Sequence, residues 1–180
     1  MSGIIGSRFN IRGSGLVGSL GTDGQVFTSS GAGAGAVFEA ASGGVNTPAV
    51  LAVQSTAQSI ANDTYVKTLF QTEIFDTDSM FASSTFTPTT AGKYQIISQT
   101  FLDGTSADGG HAHYTAIYFN GSILSEAAYS FWSTPIVNQI IEFNGSSDYV
   151  EIYFKQSSGT TRDSAFSRRR TYFQAIKIIE

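Results

Sequence analysis

From residue 48 onward, apolar and polar residues alternate in short runs, a pattern typical of β-strands that bury one face. The clearest run is 149–155, where Val150, Ile152 and Phe154 share one face. The spacing of about ten residues and the lack of a helical stripe predict an all-β jelly-roll sandwich. The predicted strands are 49–54, 65–70, 79–82, 93–101, 114–119, 125–132, 136–143, 149–155 and 171–178.

Two Asn-Gly pairs follow predicted strands. Asn120-Gly121 ends the run 114–119, and Asn144-Gly145 ends the run 136–143. Both residue types tolerate the positive φ of a type I′ turn. Each pair therefore predicts a hairpin between the strand before it and the strand after it.

The first 44 residues differ in composition from the rest of the chain. They hold 12 of the 19 glycines but only 3 of the 23 aromatic residues. Because glycine supplies no apolar side chain and loses the most backbone entropy on ordering, this stretch cannot form a core alone. We therefore predict an extended Gly-rich arm over 1–47 and a β head over 48–180. The apolar residues predicted to anchor the arm on a partner are Ile4, Ile5, Phe9, Ile11, Leu16, Val17, Val26 and Phe27.

The composition excludes several classes of function. Net charge is −4, which argues against general nucleic-acid binding. No apolar run approaches the roughly 18 residues of a membrane span, and no basic, apolar start typical of a secretion signal is seen. Without cysteine there is no thiolate chemistry. No Ser–His–acid set or carboxylate pair is recognisable, so we expect a structural or binding protein with no cofactor rather than an enzyme.

Both histidines of the chain lie in His111-Ala-His113, where strand alternation would place them on one face. They are the only candidates for a metal site. In a trimer, three such pairs on the axis would offer six imidazoles to an octahedral ion. The alternative is an exposed pair at the end of a loop, because a metal site needs more ligands than one chain offers here.

Two further stretches are candidates for receptor contact. Arg168, Arg169 and Arg170 form the one basic run and could meet an anionic glycan, or be a solvated loop. Tyr129, Phe131 and Trp132 could stack on sugar rings, or pack in the core as most large aromatics do.

Three patches of the β-rich part resemble the trimeric jelly-roll family of tumour necrosis factor and the globular heads of complement component C1q. They are Phe86-Thr-Pro88 followed by Gly92-Lys-Tyr94, Gly145 followed by Asp148-Tyr-Val150, and the closing Tyr172-Phe-Gln-Ala175. The resemblance covers about 65–180 and implies a jelly-roll head that forms a homotrimer.

A different segment resembles bacteriophage tail-fibre and virion appendage proteins. In 18–38, residues Gly24, Gln25 and Val26 precede Thr28-Ser29 and alternating Gly and Ala, with an aromatic at Phe38. The resemblance implies a virion structural protein. Its arm would dock on a portal, adaptor, tail or capsid protein, and its head would adhere to the host surface, through a glycan. The alternative is a secreted lectin-like or tumour-necrosis-factor-like binding module without virion attachment.

Overall fold

The structure, a computed structural model, describes residues 25–29, 36–40, 48–103, 111–130 and 134–178. The chain divides into two compact units, Met1–Gly44 and Val45–Glu180. The described residues hold fifteen strands, one 3₁₀ turn at Ser167–Arg169 and no α-helix. The strands are β1 Gln25–Ser29, β2 Ala36–Ala40, β3 Ala49–Val53, β4 Ser59–Ile60, β5 Val66–Lys67, β6 Thr72–Asp76, β7 Phe81–Ala82, β8 Thr85–Phe86, β9 Gly92–Gln99, β10 Ala112–Phe119, β11 Ser122–Ser130, β12 Ile136–Phe143, β13 Val150–Gln156, β14 Arg162–Asp163 and β15 Tyr172–Lys177.

In the first unit, β1 and β2 form an antiparallel pair with Phe27 opposite Phe38. The described part of the predicted arm thus pairs with itself. Two of the predicted anchor residues, Val26 and Phe27, lie in β1. The other anchors, Ile4, Ile5, Phe9, Ile11, Leu16 and Val17, lie outside the described residues.

The second unit is a two-layer β-sandwich, as the alternation predicted. Sheet I has the strand order β12-β9-β15-β3-β6. Sheet II has the order β11-β10-β13-β8-β7, and β5 also pairs with β13. A separate short pair joins β14 to β4. Every pairing of these strands is antiparallel. The chain also crosses between the sheets from β8 to β9, β9 to β10, β11 to β12 and β12 to β13, as in a jelly roll.

Aromatic rings from both sheets form the centre of the core. Phe86 of sheet II contacts Tyr94 and Phe143 of sheet I edge-to-face, with ring centroids 5.5 and 5.6 Å apart. Tyr94 and Phe143 are 5.4 Å apart in the same geometry. Each such pair adds about 0.5–1.5 kcal/mol beyond the area it buries. The patches 86–94 and 172–175 that carry the family resemblance therefore supply core rings, since Phe173 also lies 5.7 Å from Phe86.

The first Asn-Gly prediction is confirmed. Asn120 and Gly121 have φ of 50° and 80° and join β10 to β11, which pair over their whole length. A positive φ at both central residues is the requirement of a type I′ hairpin.

The second Asn-Gly prediction is wrong. β12 pairs with β9 in sheet I, whereas β13 pairs with β10 in sheet II, so Asn144-Gly145 crosses from one sheet to the other. The Asn144 side-chain oxygen accepts hydrogen bonds from the backbone N–H groups of Ser146, Ser147 and Asp148. Such an Asx turn uses the same two residue types without closing a hairpin.

Candidate functional site

The outward face of sheet I is apolar and amide-rich over three neighbouring rows of residues. The strand register gives the rows Ile136–Gln99–Tyr172–Val53, Asn138–Ile97–Gln174–Leu51 and Ile140–Gln95–Ile176–Ala49. None of these residues of β12, β9, β15 and β3 is charged. The nearest charges in the sheet are Glu142 and Lys93 in the next row, and Glu73 on the edge strand β6, opposite Ala52. Ile136 and Ile140 are 48% and 60% exposed. We call these three rows the amide–apolar face.

The sandwich edge next to this face is also apolar. β11 and β12 end the two sheets on the same side, and the Gln139 side-chain amide of β12 donates to the Ser125 hydroxyl of β11 over 3.1 Å. Ile123, Leu124 and Tyr129 of β11 are each about half exposed. Tyr129, predicted as a receptor contact, therefore belongs to this edge, while Phe131 and Trp132 lie outside the described residues.

The outward face of sheet II is rich in tyrosine. The register of β10 and β13 puts Tyr114 opposite Lys155 and Tyr118 opposite Glu151, with Tyr153 opposite Ala116 between them. The Tyr118 and Tyr153 rings lie 3.9 Å apart at 32°, and Tyr65 meets Tyr118 edge-on at 6.0 Å. We call Tyr65, Tyr114, Tyr118, Tyr153 and Lys155 the tyrosine face. Ala116 beneath these side chains is fully buried although it points outward.

One ammonium group, that of Lys155, lies between two of the rings of the tyrosine face. The Lys155 ammonium lies 5.3 Å from the centre of the Tyr65 ring and 5.0 Å from that of Tyr114. These distances are within the range of cation–π attraction. The Tyr65 hydroxyl donates a hydrogen bond to the Glu126 carboxylate. The rings, the ammonium and the carboxylate hold one another in place on the sheet.

A half-buried ion pair borders the tyrosine face. The Lys67 ammonium lies 2.7 Å from the Glu151 carboxylate, which also accepts hydrogen bonds from the Thr85 and Tyr153 hydroxyls. Burial raises the pKa of the Glu151 carboxyl, but the hydrogen bond and charge of Lys67, with the two hydroxyl donors, outweigh burial and bring that pKa below its ordinary value. Burial, followed by the charge of Glu151, raises the pKa of the Tyr153 phenol. Burial raises that of Tyr118 too. Both phenols therefore stay protonated donors at neutral pH.

The two histidines lie at the start of β10. His111 places its Nδ1 3.0 Å from the Ser157 carbonyl oxygen. Burial, and then the charge of His111, lowers the pKa of His113. Within the described ranges no group of three His, Cys, Asp or Glu residues could hold a metal ion. The pair shares sheet II, not the amide–apolar face.

The three arginines do not act as one patch. Arg168 and Arg169 are exposed and have φ of 57° and 54° in the 3₁₀ turn. Arg170 instead packs its guanidinium 4.6 Å from the Phe101 ring centre. Two of the three thus remain available to a ligand, in a backbone conformation that non-glycine residues rarely adopt.

Sequence reasoning missed the tyrosine face. One signal was present, because alternation in 149–155 already placed Glu151, Tyr153 and Lys155 on the polar side of a strand. Joining them to Tyr114 and Tyr118 requires the pairing of β10 with β13, which are separated by β11 and β12 in sequence. Only the register brings these residues together.

Comparison with known proteins identifies the fold. No protein-family model and no curated protein sequence matches this chain. Among solved structures, the Eiger TNF of S. frugiperda superposes with a TM-score of 0.55 at 12% identity, over 73% of this chain and 92% of the other. Murine APRIL gives a TM-score of 0.53 at 12% identity, over 72% and 98%. The globular domain of zebrafish complement 1qA gives 0.53 at 13% identity, over 74% and 98%.

These similarities show that the head has the jelly-roll fold of the tumour necrosis factor and C1q globular domains. The expectation drawn from the three sequence patches is confirmed for the fold. No helix in the described part of the chain has the length and apolar character that a membrane crossing requires.

Proposed function

We propose that this chain is a homotrimeric structural subunit of a bacteriophage virion, which docks by its N-terminal arm and exposes its β head for adhesion to the host surface. The observation that carries the assembly is the amide–apolar face, which covers three rows of sheet I without a charge. A face of this composition is typical of a surface that another protein surface covers.

The occupant we propose for the amide–apolar face is the β11–β12 edge of a second copy. That edge presents Ile123, Leu124 and Tyr129 at about half exposure, so it also gains from burial. A contact between two different surfaces of one chain generates a closed ring when the rotation between copies allows it. Three copies close such a ring with every face and every edge covered.

Virion attachment rests on the first 44 residues. The segment 18–38 resembles phage appendage sequences, and within it β1 and β2 form a two-stranded pair. An isolated two-stranded hairpin is at best marginally stable in water. The arm therefore gains stability from a surface that covers it, and a virion protein is the partner that we propose.

The assembly is tested by light scattering on the purified full chain. A trimer has a mass of about 57 kDa, three times the 19.1 kDa of the chain. The substitution Ile140→Asp puts a charge on an isoleucine of the amide–apolar face that is 60% exposed, and it is expected to give a folded monomer. Leu69→Asp, at a residue 44% exposed outside this face, is the matched control and leaves the trimer intact. A wild-type monomer at micromolar concentration contradicts the proposal.

The attachment is tested in the phage that encodes the chain. A variant limited to 48–180 is expected to fold and form trimers yet fail to join particles. A fusion of 1–44 to an unrelated trimeric protein is expected to be incorporated. If the variant without the arm decorates particles as well as the full chain does, the attachment surface lies on the head.

A second candidate function is a secreted binding module without virion attachment. The fold shared with Eiger TNF and APRIL favours it. Immunogold labelling of purified particles separates the two candidates, because only the virion subunit labels them.

A further inference from the structure

We propose that the tyrosine face is a binding site for neutral glycans, in which sugar rings lie against the tyrosine side chains. This proposal deepens the adhesive role proposed above and rests on it for its biological meaning. It concerns residues of sheet II that neither the core nor the proposed trimer contact uses.

The first argument is the density of rings on a solvent-facing surface. Tyr65, Tyr114, Tyr118 and Tyr153 are all half-buried and come from three separate parts of the chain. The core does not require them there, since the inward side of β10 and β13 is already filled by Ile117, Ile152 and Phe154. A tyrosine side chain has an apolar ring and a polar hydroxyl. The ring packs against the C–H face of a sugar, and the phenol hydroxyl makes hydrogen bonds with the sugar hydroxyls.

The second argument is rigidity. Tyr118 stacks on Tyr153, Tyr65 is fixed by its hydrogen bond to Glu126, and Lys155 lies against two of the rings. Side chains that are already ordered lose little conformational entropy when a ligand binds. The tyrosine face is thus pre-organised.

The third argument concerns the charge of the ligand. Two ammonium groups, Lys67 and Lys155, and two carboxylates, Glu126 and Glu151, lie in or beside the tyrosine face, so their formal charges cancel. The phenols and ammonium groups donate hydrogen bonds, and the carboxylates accept them from sugar hydroxyls. Because the two ammonium groups offset the two carboxylates, an acidic sugar gains no net electrostatic attraction to the face. The absence of a net charge on the tyrosine face therefore favours uncharged hexoses as ligands.

The fourth argument is access. In a sandwich the outward faces of the two sheets point in opposite directions, so a partner on the amide–apolar face of sheet I leaves the tyrosine face of sheet II open. A trimer would then carry three tyrosine faces. Three weak sites that engage one surface together bind far more tightly than one.

The test uses the purified full chain and a printed array of oligosaccharides. The array carries neutral glucose, galactose and mannose oligomers beside oligomers that contain uronic or sialic acid. We expect binding to neutral members only, with the strongest then titrated by saturation-transfer NMR. Tyr118→Ala and Tyr153→Ala are each expected to weaken that binding by about fivefold or more, because each removes one stacking ring.

Controls separate the site from general damage. Phe166→Ala removes an aromatic ring that is 44% exposed and lies outside both the tyrosine face and the β11–β12 edge, and it should bind as the wild type does. Lys155→Gln and Tyr153→Phe change polar atoms while keeping the packing, and they remain informative if an alanine variant does not fold. Mass and melting temperature are measured for every variant.

Three results overturn the proposal. They are no binding to any neutral oligosaccharide, binding confined to acidic ones, and binding to neutral oligosaccharides that Tyr118→Ala and Tyr153→Ala both leave unchanged. Each of these can occur with a trimer that still joins particles, so the failure of this site is distinguishable from the failure of the proposed function.

Discussion

At the scale of single residues, Gly145 is the position where backbone conformation and packing both require glycine. Its φ is 72°, in the left-handed region, and a Cβ built there would lie 2.3 Å from the backbone nitrogen of Ala91. The crossing from sheet I to sheet II therefore passes close against the chain before β9. This contact explains why a short connection can join strands in different layers.

We predict that Gly145→Ala destabilises the head by about 2–5 kcal/mol, since a left-handed non-glycine residue costs about 1–2 kcal/mol and the steric overlap with 90–91 costs about 1–3 kcal/mol more. Gly159→Ala is the control, because its φ is 82° but nothing lies within 4 Å of its built Cβ. Urea unfolding of both variants measures the difference. Equal losses would show that the steric overlap relaxes without cost.

The Glu151 carboxyl makes stability depend on pH. Its folded-state pKa is lowered, so its contribution is present above the ordinary glutamate pKa of about 4.3 and is lost as the pH falls through the lower folded value. We predict that wild-type protein melts at a higher temperature than Glu151→Gln at pH 7, and that this advantage shrinks towards pH 3. Melting curves of both proteins over this range measure it. A gap that is constant with pH contradicts the assignment to ionised Glu151.

At the scale of strands, prediction from sequence worked where one face of a strand is buried. β12 and β13 alternate because Val137, Ile141, Val150 and Ile152 point into the core, and β12 was predicted at its observed bounds. β6 was not predicted. It is an edge strand whose residues are nearly all exposed, so burial imposes no alternation on it.

The two histidines at the start of β10 give a further prediction, which concerns metal binding. His113 lies opposite Tyr129 of β11 and Gln156 of β13, and within the described residues neither imidazole belongs to a group of three His, Cys, Asp or Glu side chains that could hold a metal ion. We therefore expect a chelator to leave the melting temperature of the full chain unchanged, and elemental analysis to find no stoichiometric transition metal. A melting temperature that rises with added Zn²⁺ or Ni²⁺ and falls with chelator would restore the axial site.

At the scale of the whole molecule, the jelly-roll fold could be predicted from the sequence, because several aromatic residues of the core lie in short patches that resemble a known family. Phe86, Tyr94 and Phe173 belong to the patches that carry the resemblance, and in the structure Phe86 contacts both of the other rings. The candidate sites could not be predicted in the same way. A surface such as the tyrosine face depends on which strands are neighbours, and neither composition nor local spacing encodes the pairing of β10 with β13.

The placement of the two outward faces on opposite sheets also has a consequence for evolution. Tyr153 and Ile140 belong to different layers separated by the core, and substitutions at sites that share no partner have additive effects on stability. A lineage can therefore exchange residues of the tyrosine face one at a time without epistasis from the amide–apolar face. The sugar binding and the subunit contact proposed above would then be altered by separate sets of substitutions.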